Sequence, residues 1–172
     1  MTTLIEYVKE ITYVTTEIHP YYKSINHKII EEFKDLEFTT EIYNPSGQKT
    51  NVRALQTYND IETPTLSLIK QWVINLIGGY GGLKYKVSQC WGAKYNKGDY
   101  TISHDHFGYA FAFVYFVRSP KGSSPLVFTT SRKRIKPMEG KLVLFHGNLL
   151  HEVPKNKCDD RIVVAGNVLS FL

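Results

Sequence analysis

The sequence predicts a mostly β protein of the α+β class, an antiparallel β sandwich or open barrel with N-terminal helices packed on one face. Three observations predict it. Before residue 83, two stretches carry apolar residues at spacings of three and four, the mark of amphipathic helices. After residue 83, short runs rich in Val, Ile, Phe and Tyr alternate with Gly, Pro, Asn and Asp breaks, as short strands do. No repeat, low-complexity tract or linker divides the 172 residues, a length that suits one folded unit with a sizeable core. A single domain over residues 1–172 is expected, with 1–82 as a helical support region and 83–172 as the β core.

The elements follow in order. Ile25, Ile29, Ile30, Phe33 and Leu36 line one face of a helix over residues 21–36, with Lys28, Glu31, Glu32 and Lys34 opposite. Residues 44–51 read as a turn or loop, and 52–57 as a short extended piece. Thr63 is a natural N-cap and Pro64 a first-turn residue for a second helix through Leu66, Leu68, Ile69, Trp72, Val73 and Leu76. The glycines of 78–82 end it. Strands are expected at 84–94, 100–106, 110–117, 125–129, 132–136, 141–145, 149–153 and 161–170.

The charge balance is mild: 21 Lys+Arg against 16 Asp+Glu, a formal net charge of +5. The one dense basic cluster, Arg132, Lys133, Arg134 and Lys136, lies between strand-like runs, where a solvated hairpin explains it as well as a nucleic-acid patch does, and a nucleic-acid partner is not the leading expectation. Cys90 and Cys158 form no CxxC pair, so neither a thiolate zinc site nor a disulfide framework is indicated. Charges interrupt the apolar stretch of residues 1–10, and nowhere do eighteen apolar residues run together. The expectation is a soluble, cytoplasmic protein with no membrane partner.

His104 and His106 stand one residue apart, and His151 follows later in the chain with Arg161 ten residues beyond it. Neutral imidazole is a common metal ligand, and residues at i and i+2 of an extended segment point to one side. His104, His106 and His151 are therefore the candidate metal and catalytic residues, although the first two alone suit a metal site or plain hydrogen-bonded structure equally. His146 reads as structural, and His19 and His27 as surface residues. Arg161 opens an apolar strand, where a buried charge must find a partner.

The motif order resembles that of the double-stranded β-helix dioxygenases that use Fe(II) and 2-oxoglutarate, particularly the prolyl-4-hydroxylase-like branch with its bacterial and phage relatives. The resemblance covers residues 84–172. It rests on Tyr95 nine residues before His104 with Gly98 three further on, His104 and His106 as the His-x-Asp variant, the apolar run from Gly140 into His151, and Arg161. It implies a jelly-roll or cupin-like core, Fe(II), 2-oxoglutarate as cosubstrate and O2. Arg161 would grip the far carboxylate of 2-oxoglutarate through a bidentate guanidinium, with Tyr95 adding a hydroxyl. The reaction implied is hydroxylation of a substrate C–H bond, a peptidyl residue such as proline being the first expectation and a small molecule the next.

This chain departs from the family at His106, where Asp or Glu is usual. Asp105 cannot easily stand in, since neighbours on a strand point to opposite faces; it could orient a ligand if the chain turns there. The alternative is a cupin-like metal-binding protein, or a zinc hydrolase or lyase with a three-histidine site, neither of which needs Arg161. Phe111, Phe113, Tyr115, Leu142 and Leu144 are expected to form the dry interior between the sheets. Trp91 and Gln89 are expected to line the pocket, and residues 43–51 and 78–82 are candidate lids, with ordinary turns as their simpler explanation.

Overall fold

The computed structural model describes residues 14–43 and 47–172. Residues 1–10, read as no signal peptide, and residues 44–46 of the expected loop lie outside the described residues. In chain order the elements are β1 (Thr15–Ile18), α1 (Tyr22–Glu32), β2 (Val52–Arg53), β3 (Leu55–Gln56), α2 (Pro64–Ile77), β4 (Lys84–Tyr95), β5 (Tyr100–His104), β6 (Phe111–Arg118), β7 (Leu126–Phe128), β8 (Lys133–Ile135), β9 (Lys141–His146), β10 (His151–Val153) and β11 (Arg161–Phe171). All eight expected strands and both helices form. Three further strands lie before residue 83: β2 and β3 fall in the predicted extended piece, while β1 is new. Its four residues are all exposed, so it carries no alternation to read.

The strands make two antiparallel sheets, a larger one in the order β1-β9-β6-β11-β4-β3 and a smaller one in the order β2-β5-β10-β7-β8. They face each other as a double-stranded β-helix. Ala93, Ala112, Phe116, Val143, Phe145 and Val163 of the larger sheet meet Leu126, Phe128, Ile135 and Val153 of the smaller. Phe113, Tyr115, Leu142 and Leu144 are buried instead on the outer face of the larger sheet, with Phe111 packed beside them, under the helices. The expectation for these five was thus out by one strand position. Both faces of β6 and β9 are apolar, so hydrophobicity alone cannot choose the face that points inward.

The helices cover that outer face because their apolar stripes match it. Ile29, Leu66, Ile69 and Val73 are fully buried against it, each such burial stabilising by roughly 1.5–3 kcal/mol. α1 ends earlier than expected, at Glu32, with Phe33 as its C-cap. Asn26 pins it to the sheet: its Nδ2 donates to the Val117 carbonyl at 2.7 Å, and its Oδ1 accepts from the Tyr115 hydroxyl at 2.6 Å. α2 begins as predicted, with Thr63 Oγ1 accepting from Leu66 N at 3.2 Å and Pro64 in the first turn. Glu32 adds a link between helices by accepting from Thr65 N at 3.1 Å and Thr65 Oγ1 at 2.6 Å.

His19 is a second correction: it is half-buried, edge-on to Trp72 with ring centroids 4.9 Å apart. His27 is exposed as expected, and His146 stacks on Phe111 at 4.8 Å. Both cysteines are free. Among the described residues, no helix is long and apolar enough to cross a membrane.

Candidate metal centre

The two sheets bring the distant histidines together through strand register. His151, first residue of β10, pairs with His104, last residue of β5. The register then slips, so that Val153 pairs with Thr101. Three residues of β5 thus span two of β10, a bulge that lets both Thr101 and His104 reach the inner side. His106 lies beyond the end of β5, so a strand does not aim it as the spacing suggested. Its backbone N–H donates to the Gly147 carbonyl at 2.6 Å, tying the loop to the end of β9.

One ring nitrogen from each of His104, His106 and His151 lies within 4.8 Å of the other two. An ion with bonds of about 2 Å to nitrogen needs donors roughly 3 Å apart, a gap that small ring rotations close. Nδ1 of His104 donates to the Ile102 carbonyl at 2.7 Å, and Nδ1 of His151 donates to the Leu149 carbonyl at 2.8 Å. That leaves the Nε2 lone pair of each ring free. Burial and the neighbouring imidazoles push His106 down to about 3. Burial and His104 push His151 down to about 4, and burial lowers His104 as well. All three are neutral near pH 7, the form that binds metal. Asp105 is exposed and outside the set; its Oδ1 accepts from Phe107 N at 3.1 Å.

A narrow cavity, continuous with solvent, runs inward from the histidines. Trp91, Ala93 and Tyr95 on β4 and Arg161, Val163 and Ala165 on β11 line one wall, paired across the ladder as Tyr95 with Arg161, Ala93 with Val163 and Trp91 with Ala165. Trp91 is therefore where the sequence places it, with its ring 6.3 Å from that of His106. Gln89 is not in the cavity wall: it accepts from Asn167 Nδ2 at 2.7 Å, farther along the same two strands.

Arg161 closes the deep end. It is 1% exposed, and its Nε and Nη1 are buried without a hydrogen-bond partner. Its guanidinium lies over the Tyr95 ring, 4.5 Å from the centroid. The Tyr95 hydroxyl is within hydrogen-bond distance of Thr101 Oγ1, at 2.7 Å, so Tyr95 meets Arg161 with its ring face. Burial lowers the Arg161 pKa from its ordinary value. Two orphaned donors on a buried cation are what an incoming carboxylate satisfies. Thr101 went unnoticed in the sequence, because only the bulge turns it inward.

The candidate lid at 78–82 is a turn that runs into a short 3-10 helix. Gly78 caps α2; Tyr80 lies 6.0 Å from the Phe111 ring and 6.2 Å from that of His146. Tyr43 bridges Lys49.

No protein-family model matches the chain, and no curated protein matches its sequence. Solved structures do match in fold. The chain is similar to the viral collagen prolyl hydroxylase vCPH from Paramecium bursaria Chlorella virus-1, in its complex with 2OG, with a TM-score of 0.72, 16% identity, and 94% of this chain and 97% of that one covered. It is similar to a Pseudomonas putida prolyl-4-hydroxylase at TM-score 0.69, 14% identity, 91% and 91% covered. HygX from Streptomyces hygroscopicus, with nickel and 2-oxoglutarate bound, follows at TM-score 0.66, 10% identity, 90% and 82% covered. The chain has the double-stranded β-helix fold of these proteins over nearly its whole length.

Proposed function

We propose that this protein is an Fe(II)- and 2-oxoglutarate-dependent oxygenase that hydroxylates a C–H bond, with a peptidyl residue such as proline as its first candidate substrate. The observation that carries the reading is Arg161, a buried cation with two orphaned donors at the closed end of a cavity that opens at three converging imidazoles. A three-histidine zinc hydrolase has no use for such a group. The solved structures of the same fold include complexes with 2OG and with nickel and 2-oxoglutarate, which supports the same pairing of metal and cosubstrate here.

His104, His106 and His151 would hold the metal, and Arg161, with Tyr95 as its aromatic floor, the far carboxylate of 2-oxoglutarate. Bound together with O2, the metal and cosubstrate supply oxidative decarboxylation coupled to hydroxylation. The chain's own residues bind, orient and exclude water. Arg161 fixes the cosubstrate's length axis along the β4/β11 wall, and Ala93 and Val163 keep that wall dry and narrow. Trp91 and Ala165 shape the space beside His106, where a substrate side chain would lie. Residues 83–172 carry the chemistry in this reading, and residues 1–82 support it.

Anaerobic titration with Fe(II) and 2-oxoglutarate tests the assignment through the visible charge-transfer band of the chelate. The band should form in the native protein, and Arg161→Ala should weaken 2-oxoglutarate binding by roughly tenfold or more, since a hydrogen bond to a charged group contributes about 1.5–3 kcal/mol. Absence of the band, with zinc bound instead, would overturn the oxygenase reading.

A further inference from the structure

The mouth of the cavity carries a feature that neither metal nor cosubstrate uses. β4 and β11 continue past the histidines, pairing Val87 with Val168, Lys86 with Leu169 and Lys84 with Phe171. Val168, Val87 and Tyr85 pack against the helix-side core. Alternation therefore turns Lys84, Lys86, Leu169 and Phe171 to the opposite face, which is the face carrying Trp91, Ala165 and Arg161. Lys84 and Lys86 are exposed, and Phe171 is 45% exposed. At about 3.3 Å per residue, Lys86 stands some 15 Å outward from Trp91.

The smaller sheet contributes to the same opening. His104, His151, Phe128 and Lys133 form one transverse row across β5, β10, β7 and β8. Lys133 shares its strand face with the inward-buried Ile135, yet it is exposed, as is Arg132 in the adjoining turn. Among the described residues, Lys84, Lys86, Arg132 and Lys133 enter no ion pair. Asp105 is the one carboxylate in the loop that carries His106. The opening is thus cationic on both facing sheets, while the far end of the cavity is closed by Arg161.

Backbone geometry indicates what such an opening takes. β6 pairs with β11 only as far as Val168, so beyond it residues 169–171 have β4 on one side and, among the described residues, no strand on the other. An extended peptide can add to an open strand edge.

We infer that the substrate is a peptide segment rich in Asp and Glu around its reacting residue, docked in extended form beside residues 169–171 between Lys84 and Lys86 on one sheet and Lys133 on the other. The inference rests on the oxygenase reading for its claim that this segment is the substrate, and its test reads binding alone. Fluorescence anisotropy would compare labelled proline peptides of equal length and apolar content, with Asp/Glu, Asn/Gln or Lys flanks, and single-stranded oligothymidine. The acidic peptide should bind about tenfold tighter than its Asn/Gln counterpart, and the difference should vanish near 1 M salt, where screening acts within about 3 Å. Lys84→Glu with Lys86→Glu, and separately Lys133→Glu, should each lower affinity for the acidic peptide; all three sites are exposed, so unchanged thermal melting is expected. No binding of the acidic peptide, equal binding of the Asn/Gln peptide, tighter binding of oligothymidine, or indifference to both charge reversals would overturn the proposal. The chelate band is read independently, so failure of the oxygenase reading would leave the peptide result standing, and failure of the peptide result would leave the band.

Discussion

His106 is the least anchored of the three imidazoles. The rings of His104 and His151 are held by carbonyls two residues before them; His106 is held through its backbone, its N–H donating to the Gly147 carbonyl and its own carbonyl accepting from Tyr109 N at 3.0 Å. That glycine is there for a close approach. A Cβ on Gly147 would lie 2.8 Å from the His106 carbonyl oxygen and collide with that of Tyr109, and neither backbone atom can swing aside as a side chain could. Gly147→Ala should therefore shift the His106 loop, weakening Fe(II) or Co(II) binding by about ten- to a hundredfold, the range seen when groups that orient ligands are removed. Metal titration of the folded variant checks this, with circular dichroism showing the sheets intact. Undiminished affinity would mean that the loop holds His106 without Gly147. The same residue accounts for the exclusion of Asp105: with the loop tied at His106, the Asp105 carboxylate turns back to the Phe107 N–H.

Among the elements, β4 and β11 do most to build both cores, and β4 does so through an absent side chain. Gly92 faces the helices, and a Cβ there would fall 2.6 Å from the Phe33 ring. Phe33 itself is 1% exposed, so α1 lies as close to the sheet as its C-cap aromatic permits. Gly92→Ala should cost about 1–3 kcal/mol of stability by overpacking, read as a lowered denaturation midpoint. Phe33→Leu in the same chain should recover part of that loss, because the Leu side chain is smaller where the new methyl lands. Additive losses would place the strain elsewhere. These two strands also show how far the pattern of residues carries. Short runs bounded by Gly, Pro and Asn, apolar in all but the basic 132–136, announced the strands after residue 83, and Thr63-Pro64 announced α2. The order Tyr95, His104, His151, Arg161 was legible because four chemically distinctive residues recur at set distances. The inward face of β6 and β9 was not, since Phe111–Arg118 is apolar on both sides. Nor was the inward turn of Thr101, which a bulge in β5 brings about, or the depth of Arg161, which depends on how the sheets close over it.

Across the whole molecule, three neutral imidazoles at the open end of the cavity couple folding to pH. In the unfolded chain each histidine titrates near 6.5, whereas in the folded, metal-free protein His106 and His151 titrate at about 3 and about 4. His104 and the half-buried His19 are lowered too. Between these limits the unfolded state binds protons that the folded state does not. Stability therefore rises with pH through the window from about 3 to 6.5 and is lost as pH falls through it. Carboxylates contribute chiefly below about 4.5, so between pH 6.5 and 5 the loss belongs mainly to histidine. Urea denaturation of chelator-treated protein at a series of pH values should show the free energy of unfolding declining as pH drops from 7 to 5, and His106→Asn should flatten the slope without abolishing it. A bound metal should lift the midpoint at every pH, because it binds the folded state only, and the lift should hold down to pH 5 and shrink as pH approaches about 4, where protons begin to compete for the His151 and then the His106 lone pairs. A flat profile in the metal-free protein would show that the histidines are hydrated and protonated in the folded state. The three rings would then lack the burial that holds their lone pairs ready for an ion.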